Sequence, residues 1–164
     1  MEDKDHDQTT ETGLSDELVS EIQYVYATTG QRFLNFFIDF LLLRFGLSLL
    51  TGIGVLIIIG SINPEFVQDL IDNPRGMKTF IVEYLIGIVN FLLYYTICEK
   101  AFRGYTLGKL ISGTRAIRTD GGELTLKDAF LRSLSRIVPF EALSGFSGHP
   151  WHDTWTNTMV VKAR

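Results

Sequence analysis

Gln31-Arg32-Phe33-Leu34-Asn35-Phe36-Phe37-Ile38-Asp39 runs straight into an apolar stretch that ends at Ile62. Thr28 with Gln31 three residues on is a capping-box signature, so the helix is predicted to start there. On that helix Arg32, Asn35 and Asp39 share one face. Arg32 and Asp39 lie two turns apart, roughly 10 Å along the axis, so a shared partner is expected rather than direct contact. An acid carried into lipid costs at least about 2.5 kcal/mol near the bilayer centre. Asp39 sits about six residues inside the first apolar position, where part of that cost applies, so something must face it.

Two apolar blocks set the class. Phe45–Ile62 has no charged residue, and Ile81–Cys98 has only Glu83. Both are long enough for a bilayer and too long for the core helix of a small soluble domain. The predicted spans are residues 33–62 and 79–98. At 1.5 Å per residue the first reaches about 45 Å against roughly 30 Å of hydrocarbon, which favours one tilted helix with Arg44 snorkelling. The acidic run before it has none of the features of a cleavable signal, so an uncleaved anchor is expected. The fold class is an α-helical integral membrane protein of two transmembrane helices, a cytoplasmic amphipathic helix and a small β-hairpin or strand element.

The charge of −4 hides a segregation. Residues 1–31 carry eight acids and one lysine, whereas residues 99–164 carry ten Lys/Arg and six acids. Residues 1–20 are expected to be a disordered acidic tail, leaving 21–164 as the membrane domain. Residues 18–26 nearly alternate and read as a strand. The loop from Asn63 to Lys78 has few basic residues, while Lys100, Arg103, Lys109, Arg115 and Arg118 follow the second span closely. The positive-inside rule then places both termini in the cytoplasm.

In the second span Glu83, Gly87, Asn90 and Tyr94 recur on one helical face. With antiparallel spans Tyr94 reaches the depth of Asp39. Asn35, Glu83, Asn90 and Tyr94 therefore form a candidate polar path, or equally a set of ordinary interhelical hydrogen-bonding groups. Beyond the spans, residues 104–113 read as a short surface piece. Residues 114–119 read as a strand that turns at Asp120-Gly121-Gly122, and Leu126–Val138 as an amphipathic helix. On that helix Phe130, Leu134, Ile137 and Val138 lie opposite Arg132 and Arg136. Pro139 ends it, and Thr158–Lys162 alternates as a last strand predicted to return to residues 114–119.

Four pieces stand in order: Gly30–Asp39; Gly104-Tyr105-Thr106-Leu107-Gly108-Lys109 with Gly113-Thr114-Arg115; Leu131-Arg132 with Arg136; and Trp151-His152-Asp153 with Asn157–Val161. Together they resemble the RDD family of small integral membrane proteins. The resemblance implies that Arg32 is the family's arginine, that Asp39 and Asp153 are its aspartates, and that His152 is the histidine preceding the last of these. It also implies a bacterial inner-membrane protein, with transport as the customary suggestion and three spans as the usual drawing. Here Arg132, Arg136, Pro139 and Glu141 interrupt residues 126–146, and two spans are expected.

Other chemistry is poorly supplied. His149 and His152 are weak metal candidates, separated by a proline turn rather than aimed from one helix face. A single Cys98 rules out an intramolecular disulfide, and Gly104-x-x-x-Gly108-Lys109 lacks phosphate-loop spacing. The expectation is a non-enzymatic protein with no cofactor and no nucleic-acid partner. Its partners would be the bilayer, anionic lipid head groups, and a second copy or another membrane protein. Two roles remain. In one, Arg32, Arg132 and Arg136 pair with Asp39 and Asp153 as a knot in an interaction or assembly subunit. In the other, Asp39 lines an ion or solute path completed by an oligomer or a partner chain. The first is favoured.

Overall fold

The computed structural model describes residues 24–145 and 150–163; the acidic tail and His149 lie outside them. Helix α1 spans Thr29–Ile62. Its capping box is complete: the Thr28 hydroxyl accepts from the Gln31 backbone, and the Thr28 backbone donates to the Gln31 side chain. A π-helical turn over Leu42–Leu47 interrupts it. Arg44 lies exposed in that turn, its guanidinium 5.9 Å from the Phe45 ring.

Asn63 stops α1 and starts α2, Pro64–Asp72, by accepting from the Phe66 backbone, with Pro64 filling the first-turn position that needs no donor. The stretch between spans, expected to be a loop, is thus mostly helix. Helix α2 folds back on the end of α1, with Val67 beside Gly60. Helix α3, Met77–Ala101, is the second span, longer by a few residues than expected. These two helices have mean hydropathies of 2.3 and 1.7 over their most apolar stretches and are long enough to cross a bilayer.

The chain then turns sharply through Arg103 and Gly104, both at positive φ, into α4, Leu107–Ser112. Strand β1 is Thr114–Arg118, and α5, Leu126–Ser135, opens on a Thr125–Asp128 capping box. Short helices α6, Glu141–Ser144, and α7, Trp151–Thr154, lead to β2, Thr158–Lys162. Described residues 126–145 form no third long helix: α5 stops at Ser135.

The two strands pair antiparallel, Thr114 opposite Lys162 and Arg118 opposite Thr158. The expected hairpin across Asp120–Gly122 does not form. Instead Gly122 accepts from the Arg118 backbone, and the chain leaves for α5. The far edge of β2 is occupied by residues 24–27: Lys162 donates to Val25 and Ala27 donates to Val160, at 2.8 and 2.9 Å. Both edges of β2 are therefore satisfied. Ala27, Ala116, Leu124 and Val160 form a small apolar core under this sheet.

Elsewhere the burial order is inverted. Asp39, Glu99, Arg132 and Asp153 are buried, while Leu49, Leu50, Ile57, Phe80 and Leu85 are exposed. Helix α5 shows the inversion most plainly. Its apolar residues Leu126 and Phe130 are 61% and 45% exposed, whereas Arg132 is 0% exposed against α3. A helix that turns its arginines inward and its leucines outward is matched to lipid, not water.

Candidate functional site

Asp39 is the first anchor. Its carboxylate accepts from the Tyr94 hydroxyl at 2.6 Å, the Thr106 hydroxyl at 2.7 Å and the Gly108 backbone at 2.8 Å. The Tyr94 oxygen in turn accepts from the Leu107 backbone. Asp39 therefore holds the first turn of α4 against both spans, and no arginine among the described residues pairs with it, contrary to the knot expected from the sequence. Neutral donors suffice because a carboxylate with several hydrogen bonds tolerates burial.

Gly108 makes that approach possible. A Cβ there would fall 2.3 Å from the Asn35 carbonyl oxygen, inside any tolerable contact. Gly104 is equally constrained: its φ is +92°, and a Cβ would lie 1.9 Å from the Ala116 oxygen. Asn35 completes the seam. With its amide assigned from its surroundings, the nitrogen donates to the Gly108 and Gln31 carbonyls at 3.1 Å, and the oxygen accepts from the Thr114 hydroxyl.

The second anchor is Glu99, in the last turns of α3 and fully buried. It accepts from Lys109 at 2.6 Å, from Arg136 at 2.8 Å and from the Arg132 Nε at 2.9 Å. Arg136 also lies 4.5 Å over the Tyr95 ring. Arg132 extends the network by donating its Nη1 to Asp153 at 2.6 Å, and to the Thr158 hydroxyl. Arg32 reaches the other oxygen of Asp153, also at 2.6 Å. One continuous chain of ion pairs thus joins α1, α3, α4, α5 and α7.

Burial pushes Lys109 down to about 8, although Glu99 works against that shift, so Lys109 stays charged at neutral pH. Burial would raise the Asp153 carboxyl, but Arg132, His152 and Arg32 outweigh it and hold it well below the carboxylate range. His152 goes the other way: burial and the Arg136 charge depress it to about 4. Neutral His152 therefore donates its Nδ1–H to the Glu141 carboxylate, a hydrogen bond rather than an ion pair. Two donors are left over: Arg132 Nη2 and Arg136 Nη1 are buried without a partner among the described residues.

The expected polar path is not brought together. Asn90 donates to the Thr51 hydroxyl at 2.7 Å, Tyr94 serves Asp39, and Asn35 belongs to the seam with α4. Glu83 is exposed. Of the metal candidates, His152 is engaged by Glu141. Sequence reasoning missed Glu99 and Lys109. Glu99-Lys100 at the end of an apolar run reads as a water boundary, and only the four-residue step from Tyr95 to Glu99 hinted at an inward face.

Two long apolar helices with the charged side chains turned inward define a membrane protein. The chain belongs to the RDD family, whose family model matches residues 26–158, most of its length. No curated protein and no solved structure matches it.

Proposed function

We propose that this RDD-family protein is a non-enzymatic interaction or assembly subunit of a bacterial inner-membrane complex. Both termini lie in the cytoplasm and α5 rests at the inner interface. What supports this reading is the ion-pair chain from Arg32 through Asp153 and Arg132 to Glu99, with Lys109 and Arg136 closing on the same carboxylate. Such a network makes a rigid block of the two spans and the interfacial unit, and leaves their apolar outer faces for lipid and a second membrane chain. The basic residues after α3 favour the cytoplasmic placement and contact with anionic head groups. An ion path through Asp39 is disfavoured because both its oxygens already accept from Tyr94, Thr106 and Gly108.

In-cell crosslinking from α1 and α3, followed by identification of the captured chain, tests the role. A defined stoichiometric partner or a second copy is expected. Cation flux by the purified protein in proteoliposomes, lost in Asp39→Asn at unchanged thermal stability, would reject it in favour of transport.

A further inference from the structure

A cavity of about 250 Å3 opens where the charged end of α1 meets α3 and the segment from α5 to α7. Its polar side is Arg32, Lys109 and Arg136, and its apolar side is Phe33, Phe36, Phe91 and Leu143. The lining acids are already engaged, Asp39 by its three donors and Glu141 by His152. The lining cations are not all satisfied. Arg136 gives Nη2 to Glu99, but its Nη1 is buried with no partner among the described residues. A dry guanidinium donor at the wall of a cavity calls for an acceptor. The apolar wall, in turn, continues outward: Phe33 and Phe36 are half-exposed on the lipid-facing side of α1.

We propose that this cavity binds the phosphate of an anionic membrane lipid. Arg136 Nη1 donates to a phosphate oxygen, Arg32 and Lys109 stay paired with Asp153 and Glu99 beside it, and the acyl chains lie along Phe33 and Phe36. The guanidinium fork suits phosphate better than a point charge would. The volume is below that of sites for drug-sized ligands, roughly 300–1,000 Å3, so it takes a head group and leaves the tails in the bilayer. The aromatic wall selects a lipid over free phosphate, because a small anion gains nothing from Phe33 or Phe36. This inference rests on membrane residence alone and stands whether or not the assembly role does.

The test uses the full chain, purified and delipidated in detergent, with phosphatidylglycerol, phosphatidylcholine and sodium phosphate as probes. Native mass spectrometry and thermal melting read retention and stabilisation. Phosphatidylglycerol is expected to bind at least tenfold tighter than phosphatidylcholine and to raise Tm, while millimolar phosphate does neither. Leu143→Trp narrows the cavity without touching Glu99 or Asp153. Arg136→Lys keeps a charge for Glu99 but replaces the two-nitrogen fork with a single nitrogen. Each is expected to lower phosphatidylglycerol affinity at least tenfold, and a variant counts only if its delipidated melting matches wild type. Equal affinity for the two lipids overturns the proposal, as does unchanged retention in a folded variant. Full competition by free phosphate also overturns it, by making the site one for a small anion.

Discussion

Glu99 near the end of α3 and Arg132 on α5, 33 residues apart in sequence, meet Oε2 to Nε at 2.9 Å with neither side chain exposed. Arg132 gives its Nη1 to Asp153 and to the Thr158 hydroxyl, so one guanidinium couples α3 to the C-terminal segment. Glu99 takes two further cations, Lys109 and Arg136. Removing it leaves three positive groups facing each other in a dry site.

Glu99→Gln is therefore the most damaging single change in the network. Breaking one buried pair costs about 3–5 kcal/mol, and this substitution unbalances three. Thermal melting in detergent should show a larger drop than for Asp153→Asn. Adding Lys109→Met to Glu99→Gln should recover part of the loss by removing one stranded charge. A Glu99→Gln protein that melts like wild type contradicts the network as described.

Asp153 holds both Arg32 and Arg132, so Asp153→Asn should cost about 3–5 kcal/mol if both arginines stay buried. Arg32→Gln added to that variant should cost little more, because its partner is already gone. A double-mutant cycle with additive losses would separate the two residues.

Gly108→Ala should weaken the docking of α4 on α1. The new methyl meets backbone rather than a flexible side chain, and relieving it displaces the Gly108 donor from Asp39. The expected cost is about 1–3 kcal/mol, typical of overpacking. Gly113→Ala is the informative control: it faces open space but sits at a φ of +68°, so its cost is backbone strain alone.

The His152 site predicts acid sensitivity. Its folded value of about 4 lies below the ordinary 6.5, so protonation favours the unfolded chain. Its contribution is complete above pH 6.5 and is lost as pH falls towards 4; from pH 7 to 5 the loss is about 2 kcal/mol. The depressed Asp153 and Glu141 carboxyls add their own losses at still lower pH. His152→Asn should flatten the slope of Tm between pH 7 and 5. An unchanged slope would place the titrating group elsewhere.

Topology is checked by cysteine scanning on a Cys98→Ser background. Cysteines at Asp128 and Lys162 should resist an impermeant thiol reagent applied to intact cells, and one at Gln68 should react. Labelling at Lys162 from outside would reverse the proposed orientation.

Much of this was legible because apolar runs report the bilayer directly. Thr28 with Gln31 announced the start of α1, and the alternation in residues 114–119 and 158–162 announced the sheet. The depth match of Tyr94 and Asp39 also followed from helix geometry. What stayed hidden depends on partners distant in sequence. An amphipathic pattern gives two faces of α5 but not which one points inward, and lipid reverses the usual answer for Arg132 and Phe130. Lys109 looked like one more surface base, because nothing local tells a lysine that Glu99 lies beneath it.

The π-helical turn at Leu42–Leu47 gives α1 a residue to spare. Asp39 and Leu43 are buried on one face, and Thr51 continues it by receiving Asn90. Eight residues of unbroken α-helix turn through about 800°, which would leave Thr51 some 80° round from Leu43. The wide turn absorbs that offset. Deleting Phe45 should tighten it to ordinary α-helix while Asp39 still meets Tyr94 and Thr51 still meets Asn90. Deleting Phe37 instead rotates everything before it by about 100° and tears Arg32 and Asn35 from their partners. The first span is thus tolerant of indels at one turn and intolerant along the rest, so length variation within this helix should collect between Leu42 and Leu47.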